Sequence, residues 1–231
     1  MINHANPAKK EQRDGGFTLI EVLVVVAILG IMTGLAMVAY ETVGRRGALQ
    51  NAAFDLQGVL STARTRASSR SHPVWVVFYP SANREALVGG AGAFMVVEDR
   101  DSAYTRTPYL LFTMPLEAPG LSGDVSSVYF LDDYSKKVRF QALKPGSTEL
   151  FGAPFSKLAV QTCSFCSGAD LQSGAIGFYP DGGARFVNGE GEFLSATNQS
   201  LALSGVDGLN EYLFAISGPS GYMATFSPDP H

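Results

Sequence analysis

From Phe17 to Tyr40 the chain reads FTLIEVLVVVAILGIMTGLAMVAY, 24 residues with one side chain charged at neutral pH, Glu21. As a helix that run extends about 36 Å at 1.5 Å per residue, against a hydrocarbon thickness of roughly 30 Å. A helix buried in a soluble core would keep a polar face, and this run has none. The polar segment before it, MINHANPAKKEQRDGG, carries Lys9, Lys10 and Arg13 and so favours the cytoplasmic side. Arg45 and Arg46 follow the run, so charge alone gives only a slight bias in orientation.

A secretory signal would put small residues after the apolar core, and Gly34-Leu35-Ala36 is the one candidate there. The run is too long for that reading. The small-residue step instead precedes the core, at Gly15-Gly16 directly against Phe17, so cleavage there leaves the apolar helix on the product. Glu21 sets a second constraint, because a carboxylate in hydrocarbon costs on the order of 2.5 to 3.5 kcal/mol at mid-span and less near an end. Lys and Arg are absent from the run. Either Glu21 snorkels to the interface or it meets a cation from elsewhere.

Gly16 followed by Phe17-Thr18-Leu19-Ile20-Glu21 and a long apolar helix resembles the class III signal of type IV pilins and pseudopilins. The resemblance implies cleavage after Gly16 by prepilin peptidase, N-methylation of the new N-terminal Phe17, and an assembly role for Glu21. The ammonium created at Phe17 of a neighbouring subunit, staggered by about one turn, is then a natural partner for that carboxylate. Gly30 and Gly34 form a small-xxx-small pair that permits close helix packing in lipid while weakening the helix. The family pattern favours loosening there during assembly; plain pairwise packing, or no role, is the alternative. Many members carry proline at the place of Val38, and this chain departs from that pattern.

Beyond Tyr40, Leu49, Ala52, Ala53, Leu56, Leu60, Ala63 and Ala67 recur at spacings of three and four, and no proline lies between Pro7 and Pro73. This predicts one helix from about 17 to about 69, apolar all round at first and one-faced later. Gly44, Gly47 and Gly58 each cost about 1 kcal/mol relative to Ala and are candidate bends. Arg45, Arg46, Arg64, Arg66 and Arg70 read as its solvated or inter-subunit face, with a polyanion surface as the weaker alternative.

From His72 onward short apolar runs alternate with Gly, Pro, Asp and Ser, as in antiparallel β structure. Strands are expected at 74–79, 94–98, 109–112, 128–131, 138–143, 158–162, 175–179, 184–187, 201–203, 212–217 and 222–226. Tyr179-Pro180-Asp181-Gly182-Gly183 reads as a hairpin turn, and Ser217-Gly218-Pro219-Ser220-Gly221 as another. With the A-R-T-R-A stretch near the helix end, these two turns are similar to the GspH/FimT subgroup of minor pseudopilins. The central stretch 89–152 carries no resemblance.

The fold expected is α+β and pilin-like: a long N-terminal helix, transmembrane in its first half and amphipathic in its second, packed on a C-terminal antiparallel β-sheet domain. Its divisions are a cleaved leader at 1–16, a transmembrane and assembly helix at 17–40, an amphipathic continuation at 41–71, and a periplasmic β-rich domain at 72–231.

Cys163-Ser164-Phe165-Cys166 reads as a structural disulfide in an oxidising periplasm, with redox activity as the alternative. His4, His72 and His231 are scattered, and a second C-x-x-C is absent, so no metal is assigned. Oxygen-rich loops around Asp132-Asp133, Glu98 to Asp101, and Asp181 with Asn188, Glu190 and Glu192 lack EF-hand spacing and read as solvated acids rather than calcium ligands. The G-x-S-x-G, P-loop, H-E-x-x-H and G-x-G-x-x-G patterns are all missing, so no enzymatic activity and no cofactor is expected.

The function implied by the resemblance is a minor pilin or pseudopilin. Such a subunit waits in the inner membrane with a cytoplasmic N-terminus and joins other pilins on an inner-membrane assembly platform. It then leaves in a type IV pilus or type II secretion pseudopilus, at the tip or in priming. A binding module for DNA or adhesion is a second class, and a membrane-anchored periplasmic enzyme a third. Net charge is −4, and loss of the leader removes three basic and two acidic residues, leaving about −5, which repels a polyanion. The stretch from Ser220 to His231 contains no Lys or Arg. No nucleic-acid partner is therefore expected. The loops at 85–93 and 117–127 are the expected sites of partner specificity.

Overall fold

The computed structural model describes residues 18–113, 116, 123–134, 138–169 and 171–227. Helix α1 runs over Leu19–Arg70. Thr18 stands just outside it as the cap: its carbonyl accepts the Glu21 and Val22 amides at 3.1 and 3.2 Å, and its Oγ1 lies 3.3 Å from the Glu21 nitrogen. Thr-x-x-Glu is the spacing of a capping box. The other end stops because Ser71 takes a left-handed φ of 57° and Pro73 follows, which cannot donate to a further turn. Gly44, Gly47 and Gly58 all lie inside the helix without interrupting it.

The chain divides within α1 into two units, Met1–Val43 and Gly44–His231. In the first, helix is the only element described, and its span Leu19–Met37 is apolar and unburied. In the second, the described residues form the remainder of α1 and nine strands. These are β1 (Val74–Tyr79), β2 (Ala93–Glu98), β3 (Val125–Phe130), β4 (Val138–Phe140), β5 (Gly174–Phe178), β6 (Ala184–Asn188), β7 (Asn198–Gly205), β8 (Glu211–Ser217) and β9 (Met223–Phe226). The fold is α+β, and its strands form two antiparallel sheets rather than one, in the orders β3-β2-β1-β5-β6 and β4-β7-β8-β9.

The periodic face of α1 read from the sequence is the face that packs. Leu49, Ala52, Ala53, Leu56, Leu60, Ala63 and Ala67 share one core with Val74, Val76 and Phe78 of the first sheet and Leu201, Leu203, Phe214 and Ile216 of the second. The alanines at 52, 53, 63 and 67 let the helix approach both sheets closely. Both anticipated turns close hairpins, β5 to β6 and β8 to β9.

β1 is buried at every position instead of alternating, because both its faces are covered. Trp75, Val77 and Tyr79 point away from α1 into a second cluster with Met95, Leu111, Val125 and Ala175. Opposite Trp75 stands Gly177, where an added Cβ would meet the indole at 2.6 Å, so the ring fills the space that glycine leaves. On the second sheet, Phe151, Phe155 and Val160 cover Ala202, Leu213 and Ala215.

These covering segments account for the two expected strands that do not form. Residues 109–112 lie in a 3-10 turn, Pro108–Phe112, started by a proline that presets its first φ and inserting Leu111 into the cluster that holds Trp75. Residues 158–162 form no strand: Val160 pairs only with the loop at Gly146 and Ser147 and serves as a plug.

Candidate functional site

The first unit presents the features that the resemblance makes functional. Leu19, Ile20, Leu23, Val26, Leu29, Ile31, Met32, Leu35 and Met37 are each more than half exposed, a surface that requires lipid or protein around it. Glu21 lies on this exposed helix, in its first turn. Gly30 and Gly34 are open, with no atom within 4 Å of an added Cβ. Thr33 returns its hydroxyl to the Leu29 carbonyl at 2.7 Å, which satisfies it without a neighbour. Gly16 and Phe17 lie outside the described residues.

At the far end of α1 the structure gathers charge that the sequence reading assigned elsewhere. Arg70 donates to both oxygens of Glu98 at 2.6 and 2.8 Å, and Arg100 reaches Oε2 at 3.2 Å. Arg66 stands 3.7 Å from Oε1, and His72 Nε2 3.8 Å from Oε2. The Glu98 side chain is 4 % exposed. Burial pushes its carboxyl up, but the hydrogen bond from Arg100 and the charges of Arg70 and Arg100 outweigh that and hold it below the usual carboxylate range. Arg64 donates to the Ser220 carbonyl at 2.9 Å. Arg64, Arg66 and Arg70, expected as a solvated or inter-subunit face, keep part of their surface exposed and also bond within the chain, because the helix ends against β2 and the β8–β9 turn.

The acidic loops are likewise occupied by their own chain. Buried Asp99 accepts from the Tyr104 and Thr105 amides, the Thr105 hydroxyl and Trp75 Nε1, at 3.1, 2.8, 2.6 and 3.4 Å. It thereby holds the short helix α2 (Ala103–Arg106) over β1. Asp133 takes a bidentate pair from Arg84, Asp181 accepts the Gly183 amide, and Asn188 Oδ1 accepts those of Glu190 and Glu192. Tyr104 donates to Asp124 at 2.8 Å; burial, then that bond, pushes its phenol up to about 12. Among the described residues no group of three or more His, Cys, Asp or Glu is gathered as metal ligands would be.

Cys163 and Cys166 are joined as a disulfide. The loop they close carries buried Phe165, whose ring lies 5.4 Å from Phe78 and 5.9 Å from Phe186. It also bridges to Leu201 of β7, so the short loop links the two sheets through their common core. Of the two loops expected to carry specificity, 85–93 is tied down by the Arg84–Asp133 pair and by the Gly90 and Gly92 amides on Ser81 and Ala82. In 117–127 only the residues from Gly123 onward are described.

Sequence reasoning took Glu98 and Asp99 for solvated loop acids, whereas both are buried, and it missed the pairing of Asp55 with Tyr134, joined by a 2.7 Å hydrogen bond. One signal was legible: Arg66 and Arg70 sit four apart in the last turns of a helix with no acid near them in sequence, so their partner had to come from another element.

Residues 12–37 match the family model described as the prokaryotic N-terminal methylation motif. No curated protein and no solved structure matches the chain. The matched segment covers Gly16, Phe17, Glu21, Gly30 and Gly34 and supports a processed subunit of the type IV pilin kind, with an apolar helix suited to inner-membrane anchoring.

Proposed function

We propose that this chain is a minor pilin or pseudopilin, a structural subunit of a type IV pilus or type II secretion pseudopilus. The observation that carries the reading is coincidence: the methylation motif at 12–37 overlies the span Leu19–Met37 that the fold leaves wholly unburied. Prepilin peptidase removes 1–16 after Gly16, and Phe17 is N-methylated. Residues 17–40 hold the subunit in the inner membrane with 72–231 in the periplasm, and an assembly platform passes it to its neighbours.

Glu21 supplies register. An exposed carboxylate on an apolar helix is stabilised by the Phe17 ammonium of the adjacent subunit, and helices that slip by a turn forfeit that pairing. Gly30 and Gly34 let neighbouring helices approach. Head-to-tail contacts of this type propagate as an open filament. The size of the β domain and the two GspH/FimT-like hairpin turns favour a minor component at the tip or in priming.

The test is incorporation of Glu21→Ala and Glu21→Gln variants in the native host, read by immunoblot of sheared filaments and of the membrane fraction. The reading expects both to be processed and to remain in the membrane, absent from filaments. Wild-type incorporation of Glu21→Ala would remove Glu21 from assembly.

A further inference from the structure

β3 is an edge strand: among the described residues only β2 pairs with it. Its register with β2 is regular from Ser127 to Phe130 and irregular only near Val125, so the bulge that often blunts an edge lies at one end. The Leu131 amide donates to the Gly92 carbonyl, which fixes the alternation along the pair. By that alternation Tyr129 and Ser127 bond inward to β2, while the backbone N–H and C=O of Val128 and Phe130 face outward.

Beside this edge runs a groove of about 320 Å³ between β3 and α1. Its helix wall is the stripe Asp55, Gly58, Val59, Thr62 and Arg66, and its sheet wall includes Tyr129. Tyr129 is braced by stacking on Phe94 at 4.9 Å. The two ends differ in charge. Arg66 is 40 % exposed and makes the longest contact of the three arginines on Glu98, so its guanidinium retains donors for a second partner. Asp55 is exposed at the other end, held by Tyr134 and with acceptor capacity to spare.

We propose that this groove takes an extended segment of a partner chain, added as a strand to β3, with an acidic side chain on Arg66 and a basic one on Asp55. Outward-facing backbone groups in a row are satisfied by a strand and not by a helix. Asp55 and Arg66 lie about three helical turns and roughly 16 Å apart on one face of α1. At about 3.3 Å per residue and a same-face period of two, the matching acid and base in the partner stand about four residues apart. The chemistry lies wholly within Gly44–His231 and does not depend on how the N-terminus is processed.

The experiment pans the full-length protein in detergent micelles against displayed random peptides of roughly eight residues, long enough to cover the edge. Wild type, Arg66→Glu and Asp55→Lys are used, each first shown to melt like wild type. Wild type is expected to enrich β-branched and aromatic alternating sequences bearing an acid and a base about four apart. Arg66→Glu should replace the acid by a base in the selected set and weaken the original peptides about tenfold, and Asp55→Lys should do the reverse. On adding the best wild-type peptide, exchange of the Val128 and Phe130 amides should slow. Enrichment of helix-patterned peptides, selection unchanged by both charge reversals, an unprotected Val128 amide, or no enrichment would each overturn the proposal.

Discussion

Arg70, in the last turn of α1, holds both oxygens of Glu98 at the end of β2, at 2.6 and 2.8 Å. That contact fixes where the helix finishes against the first sheet. With the carboxyl held below its usual range, the sign of its pH dependence follows: the stabilisation is complete above the unfolded value and fades as pH falls through the folded one. Wild type should lose stability between about pH 5 and pH 3, and Glu98→Gln should flatten that slope. At neutral pH the same variant should cost about 1–3 kcal/mol, discounted because all three arginines are substantially exposed. Urea unfolding across pH measures both.

Trp75 is the chain's single tryptophan and is fully buried under the segment that Asp99 caps. Asp99→Ala removes the acceptor of the Thr105 amide and the indole N–H and one hydrogen bond of Tyr104, at a cost of about 2–4 kcal/mol. Because the loss uncovers the outer face of β1 first, tryptophan emission should shift to the red at denaturant concentrations where far-ultraviolet circular dichroism is still native. Coincident transitions would show that α2 is no separate cover.

The disulfide closes a short loop, so its removal should cost about 2 kcal/mol, at the low end for such bonds. Replacing both cysteines by serine should lower the melting temperature correspondingly, by several degrees, while leaving leader processing unchanged, since Phe165 still anchors the loop in the core. Failure of the double variant to be processed would tie the β domain to maturation.

Legibility in the sequence followed the range of the interactions. The helix, β1 and the hairpins at 179–183 and 217–221 were readable because period, proline and turn chemistry are local, and β1 spans the six residues expected. The centre was not. Leu111, Phe151, Phe155 and Val160 act singly, each dropped onto a sheet face from an irregular segment, so no period links them. Those same covers bury sheet faces that an exposed sheet would have left polar. The Arg70–Glu98 pair spans 28 positions and had no local signature. Glu21, Gly30 and Gly34 were singled out by motif and lie on exposed helix, whereas the Asp55 to Arg66 groove emerges only when β3 is seen to be an edge.

The central claim is that residues 1–16 are a leader and that Phe17 begins the functional chain. Intact-mass and N-terminal analysis of the protein extracted from its host membrane, beside a Gly16→Ala variant, tests it most directly. The account predicts a chain beginning at N-methylated Phe17 and an unprocessed variant. A chain beginning at Met37, or one uncut at its N-terminus, would contradict it.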